Sequence, residues 1–350
     1  MTSMPVDESR SEPAVRARAG IEDVALAAGV SVATVSRAIR GLPNVAVATR
    51  ERVLAVAAEL RYQADPAAAR LAAGSTRTVA VGVPDPATWF FAKVVGGIER
   101  KLLAAGYDLL LSGIPDAAHR SRFLYMNAPG GRRCDASILV NVALVPEEAG
   151  EAVADGHRLV TVGFRYEGFS SVTIDNVTAA SRAVEHLISL GHRRIGLMGM
   201  VMDNAMNFVV PPMRRQGYLR AHEAAGLQVD PGIESVANST SDASRVIGRT
   251  MLDSPDRPSA VFAMSDEQAF GVMLAAQDLG LNVPEDLSVV GVDDHDQSEL
   301  IGLTTVRQGV DELGAMAAEL LLEAIEGGTV RHVEVPTELI LRSSTAPRRS

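Results

Sequence analysis

A chain of 350 residues, 47% hydrophobic and 22% charged, has material for two or three globular units and a sizeable core. Its longest apolar runs, such as RTVAVGV and ASILVNVALV, fall short of the roughly 20 residues a membrane helix needs, and the polar, acidic opening MTSMPVDESRSEPAVRARAG lacks a leader's apolar core. Cytoplasm is therefore expected, with no membrane partner, and the single Cys134 excludes an intramolecular disulfide. A net charge of −10 argues against wholesale coating of nucleic acid, yet the charge is uneven: residues 15–75 hold eight Arg against five acids. A mildly basic head on an acidic body suits a local DNA-binding module.

In chain order, residues 1–17 read as a disordered tail. From 18 to 62 the pattern is helical. Ile21, Val24, Ala25 and Ala28 fall at i, i+3, i+4 and i+7, and Gly29 follows where a left-handed turn is needed. Ser31 can cap a second helix whose inward face is Val35, Ala38 and Ile39. This is helix-turn-helix spacing. The outward face then holds Val32 and Ala33, which suit thymine methyls, and Arg37, whose fork matches guanine. Thr34 and Ser36 suit phosphate oxygens. The competing reading is a helical hairpin with a solvated polar face. Downstream, VAVATRERVLAVAAELRY supplies a third helix with Val53, Val56, Ala57 and Leu60 on one side. In residues 63–76 the segment PAAARLAA reads as a short helix behind a proline, too short to be stable alone. Leu71 there suits an apolar wedge between base steps.

Residues 77–345 alternate apolar strands with amphipathic helices, from TVAVGVP and FFAKVVGGIERKLLAAG through to DEQAFGVMLAAQDLGL and LSVVGVDD. Such alternation means parallel sheets covered by helices, and two sets of this length mean an α/β body of two Rossmann-like lobes under an all-α head. Ligands bind at the carboxyl ends of parallel strands, so the cleft between lobes is the expected site. The first lobe is expected at about 77–172 and 305–330, the second at about 173–304 and 331–345.

These residues resemble the LacI/GalR family of transcriptional regulators from about residue 20 to 345, carried by IEDVALAAGVSVATVSRAIRG, TRERVLAVAAELRY, VTIDNVTAASRAVEHLISLGHRRIGLMG and GLNVPEDLSVVGVDD. The resemblance implies a periplasmic-binding-protein-like body of type I and a hinge helix at 63–76. Leu71 would enter the minor groove, with Ala68 beside it and Arg70 near the backbone. Arg40, Thr49 and Arg50 complete the expected DNA-contacting set. Ala46 stands where relatives often have a capping Ser, Asp65 where they often have Asn, and Arg40 at a position commonly Asn. For the effector, the resemblance implies Arg214 in MRRQGY and Asp266 in FAMSDEQAFG, against structural salt bridges as the alternative. It also implies an aromatic from TWFF, Phe91 ahead of Trp89 and Phe90, against packing at a helix start. After the strand RLVTV come Gly163, Phe164 and Arg165 where many relatives have an aspartate, and MVMDNAMNFVVPPM is unusually apolar. A flatter, less polar or anionic ligand follows, with Arg165 as a second cation.

No G-x-G-x-x-G after a strand, P-loop or G-x-S-x-G elbow is present, so no enzyme and no cofactor are expected. Asp293, Asp294, His295 and Asp296 read as structural or cleft-lining before they read as a metal site. His186 and His192 do not share a helical face, and Cys134 reads as a packed thiol. The expected function is a ligand-responsive repressor that binds a near-palindromic operator in double-stranded DNA as a homodimer, with a sugar or other small polar metabolite as effector. The alternatives are a sensor without a DNA role and an enzyme on a doubly wound fold.

Overall fold

The computed structural model describes residues 19–62, 75–130, 133–201 and 208–348. The chain divides into two compact units, up to Thr76 and from Arg77 onward.

The first unit packs helices Ile21–Ala28, Val32–Ile39 and Val47–Glu59 around Val24, Ala25, Ala28, Val35, Ala38, Val53 and Ala57. The turn between the first two helices rests on Gly29 at φ +66°, where a side chain would be strained. Ser31 caps the second helix as expected, its Oγ accepting from the Thr34 amide at 3.2 Å. Leu60 departs from expectation: it follows the last turn of the third helix and is exposed. The third helix begins behind Ala46, which offers no side-chain cap to its free amides. Ala46→Ser is therefore expected to raise the unfolding free energy by about 1 kcal/mol, read from the urea midpoint at unchanged slope.

The second unit holds two six-stranded sheets. Strands β1 (Thr78–Val83), β2 (Asp108–Gly113), β3 (Ala136–Val140), β4 (Leu159–Val162) and β5 (Ser170–Thr173) belong to the first. β6 (Ile195–Met200), β7 (Glu234–Ala237), β8 (Ala260–Ala263), β9 (Ser288–Asp293) and β10 (Thr304–Arg307) belong to the second. The short β11 (His332–Glu334) and β12 (Glu338–Ile340) follow. The orders are β11-β5-β4-β3-β1-β2 and β12-β10-β9-β8-β6-β7, parallel throughout except for the antiparallel β10–β12 pair. Central strands such as β3, β4 and β8 are buried along their whole length, as sheets covered on both faces require.

The lobe boundaries differ from those expected. β10 pairs with β9, so Thr304–Arg307 stays in the second lobe and the chain returns only with the helix Val310–Ile325. That helix packs on the first sheet through Leu313, Ala317 and Leu321. β11 then pairs with β5 in the first sheet, with Val333 opposite Val172, and only β12 reaches the second. These edge strands are three residues long, and nothing in such short segments distinguishes one sheet edge from another until both are formed.

Candidate functional site

On the second helix of the head, Val35 and Ala38 face the core, which turns Val32, Ala33 and Arg37 to the surface. Val32, a large apolar residue, is 42% exposed at the helix start. Thr34 and Ser36 are half-buried, and the Thr34 hydroxyl lies 2.9 Å from the Ser31 hydroxyl. Arg40 is exposed just past the helix end. Thr49 and Arg50 are half-buried, and Arg50 Nη2 donates to the Leu42 carbonyl at 2.6 Å. Arg50 thus ties the loop before the third helix to that helix. Ala68, Arg70 and Leu71 lie outside the described residues.

Between the lobes of the body lies a cavity of about 350 Å³. The first lobe contributes Asp85, Phe90, Phe91 and Asn141; the second contributes Met200, the run Phe208–Pro211, Arg214, Glu267 and Asp293. Phe90 and Phe91 meet edge to face, with centroids 5.3 Å apart, at the start of the helix Trp89–Ala104. They also pack against the first lobe's core, so the same two rings both line the cavity and pack at the helix start. Gly163 has φ +95°, and a methyl there would overlap the Asn141 side-chain oxygen, so glycine makes room for that amide at the cavity wall. Arg165 is exposed, is not among the lining residues, and instead acts on His332. The expected second cation is therefore absent from the described cavity wall.

Arg214 is 4% exposed and lines the cavity. Its Nε donates to Asn176 Oδ1 at 2.9 Å, one Nη donates to the Met264 carbonyl, and Asp293 Oδ1 lies 3.9 Å away. Burial pulls the guanidinium down from its usual value, and Asp293 and Asp266 oppose that. Asp293, ending β9 at φ +133°, accepts from Gln308; burial pushes its carboxyl up to about 8 against the pull of Arg214.

Asp266 does not reach the cavity, which corrects the expectation for it. It is fully buried, accepting from the His295 amide at 2.8 Å and from the Ser298 and Thr305 hydroxyls at 2.6 Å each. A methyl on Gly291 would overlap its carboxylate, so the strand passes directly against it. Burial raises the carboxyl. Asp266 is a strut joining the helix Asp266–Asp278 to the segment after β9 and to the start of β10. The acid that converges with Arg214 is Asp293, whose signal in the sequence was its place at the carboxyl end of an apolar strand.

Trp89 is also corrected. Its ring lies against His295 (centroids 4.2 Å apart) and its Nε1 donates to Asp296 at 3.1 Å, while Lys93 pairs with Asp296 at 2.9 Å. Trp89 bridges the lobes beside the cavity and is not among its lining residues. Asp294 pairs with Arg307 and Arg342 at 2.7 Å each, so the acidic cluster is structural and cleft-lining. Among the described residues no group of three His, Cys, Asp or Glu is placed to hold a metal. Cys134 is buried with Sγ 3.3 Å from the Asn127 side-chain oxygen, a packed thiol.

The family model for bacterial regulatory proteins of the lacI family matches residues 20–65, and the periplasmic binding protein-like domain matches 184–345. The chain is 34% identical over 335 residues to the HTH-type transcriptional repressor CytR of Escherichia coli (strain K12), covering 93% of this chain and 96% of that one. A crystal structure of the lac repressor dimer bound to operator and the anti-inducer ONPF superposes with a TM-score of 0.81 at 25% identity, covering 94% of this chain and all of that one. The structure of a transcriptional regulator CelR–cellobiose complex does so at 0.67 and 32% identity, covering 93% and 100%. The chain belongs to the lacI family of bacterial regulatory proteins. It is a DNA-binding transcriptional regulator with an effector-binding body, and not an enzyme. Among the described residues no helix is long and apolar enough to cross a membrane.

Proposed function

We propose that the chain is a repressor that acts in the cytoplasm, binds a near-palindromic operator as a homodimer, and responds to a small molecule in the inter-lobe cavity. The observation that carries this reading is the division of the helix Val32–Ile39: Val35 and Ala38 are buried, while Val32, Ala33 and Arg37 are free to reach base edges. Thr34, Ser36 and Arg40 flank them for phosphate contact, as does Thr49. Arg50 serves the interface by fixing the loop. Leu71, with Ala68 and Arg70, takes the family's hinge role of opening the minor groove. The lac repressor dimer on its operator supports both the two-fold arrangement and a two-fold site.

In the body, Phe90, Phe91, Arg214 and Asp293 form the effector contacts. The two lobes meet through Trp89 and Lys93 on one side and His295 and Asp296 on the other, so their relative angle is the variable a ligand can bias. It does so only by its differential affinity for the two arrangements, typically about 1–3 kcal/mol.

Selection of bound duplexes from a random pool at one fixed salt concentration tests the DNA-reading role. The wild type is expected to enrich a near-palindrome. Arg37→Ala is expected to weaken binding to that sequence by about 10- to 100-fold and relax the choice at one position per half-site. Unchanged selection by the variant would remove Arg37 from the reading set.

A further inference from the structure

The cavity carries an unbalanced charge that the Arg214–Asp293 pair does not account for. Arg214 is already held by Asn176, the Met264 carbonyl and Asp293. Two further carboxylates line the same space, one from each lobe: Asp85, on the loop after β1, and Glu267, in the first turn of the helix Asp266–Asp278. Asp85 is oriented by the Ala87 amide at 2.9 Å and the Thr88 hydroxyl at 3.4 Å. Glu267 is half-buried, and among the described residues its carboxylate has no hydrogen bond and no ion pair. Burial raises it above its usual value, and the charge of Asp85 raises it further, so the two carboxylates sense each other across the cleft. Among the described lining residues Arg214 is the sole cation.

Around these acids the wall is mixed, with Phe90, Phe91 and Phe208 on one part and the polar Asn141, Asn238 and Thr240 on another. A neutral polyol would find hydroxyl and amide partners on this wall but would leave the two like charges facing each other. An anion would meet two carboxylates beside a guanidinium whose Nε and one Nη are already taken by Asn176 and the Met264 carbonyl. A cationic nitrogen removes the repulsion, gives the Glu267 carboxylate an ion-pair partner, and gains from the aromatic rings of the wall.

We propose that the effector is a small, flat molecule bearing a cationic nitrogen, with its ring among the phenylalanines and its charge between Asp85 and Glu267. This rests on the cavity being the effector site and adds the ligand's chemical class. It also reverses the anionic preference that the sequence suggested, because Arg165 stands away from the cavity and the acids replace it.

Isothermal titration of the full chain with three probes of one ring and different charge tests the proposal: tyramine, the neutral alcohol tyrosol, and the anion 4-hydroxyphenylacetate. Tyramine is expected to bind at least about tenfold more tightly than tyrosol, and 4-hydroxyphenylacetate more weakly than either. Glu267→Gln is expected to bring tyramine within about threefold of tyrosol. Asp85→Asn, on an exposed loop of the other lobe, is expected to act in the same direction. Equal binding of the three probes, preference for the anion, or no tyramine binding at millimolar concentration overturns the proposal. If cellobiose binds and Phe91→Ala abolishes that binding while tyramine is ignored, the effector cavity stands and the cationic ligand falls. Tyramine binding that survives Phe91→Ala unchanged would place the probe elsewhere and overturn both.

Discussion

Asp266→Ala is expected to destabilise the body by about 3 kcal/mol or more, seen as a drop of several degrees in its melting temperature. The carboxylate is fully buried and gathers one amide and two hydroxyls from three segments, at His295, Ser298 and Thr305. Truncation leaves those donors in a place water does not reach, and an unmade buried hydrogen bond costs far more than a made one contributes. The segments it joins include the end of β9, so Asp293 would lose its bracing as well. An effector contact behaves differently: its removal lowers ligand affinity and leaves the melting temperature near the wild type. Thermal unfolding of Asp266→Ala without ligand therefore separates the two roles, and an unchanged melting temperature would return Asp266 to the cavity wall.

Gly314→Ala is expected to cost about 2–3 kcal/mol although it removes nothing. The helices Trp89–Ala104 and Val310–Ile325 cross with glycine against backbone on both sides: a methyl on Gly314 would overlap the Val94 carbonyl, and one on Gly97 the Asp311 carbonyl. Alanine is the better helix former by about 1 kcal/mol, so a loss of stability here means that separation of the helices outweighs propensity. Because one separation relieves both overlaps, the Gly97→Ala/Gly314→Ala double variant is expected to cost less than the two single effects together. Urea unfolding of the four proteins measures this. Strict additivity would show that the helices accommodate each methyl independently.

The head was legible because its determinants are local. Gly29 at its turn, the Ser31 cap and the inward Val24, Val35 and Val53 all follow from spacing within one or two helical turns. The alternation of strand and helix in the body was legible for the same reason, whereas Phe91, which lines the cavity from a helix start, was suggested only by the family resemblance. Arg214, which the resemblance suggested, does line the cavity, but its partners Asn176 and Asp293 come from other segments.

What the sequence by itself determined was therefore the element order, the helix-turn-helix head and the two-lobed class, since each rests on periodicity read within one segment. The tertiary structure decided the rest. Ser265, Asp266 and Glu267 are adjacent in the chain, and nothing local says which carboxylate faces the cleft. The segment after β9 and the start of β10 close over Asp266 and leave Glu267 at the cavity. Likewise β10 and β11 found their sheets only through partners far away in sequence, and Arg165 was turned from the cleft by the path of the chain after β4. A side chain's pattern of neighbours within a helical turn is written in the chain, whereas the element that buries it is chosen by long-range packing that no short window contains.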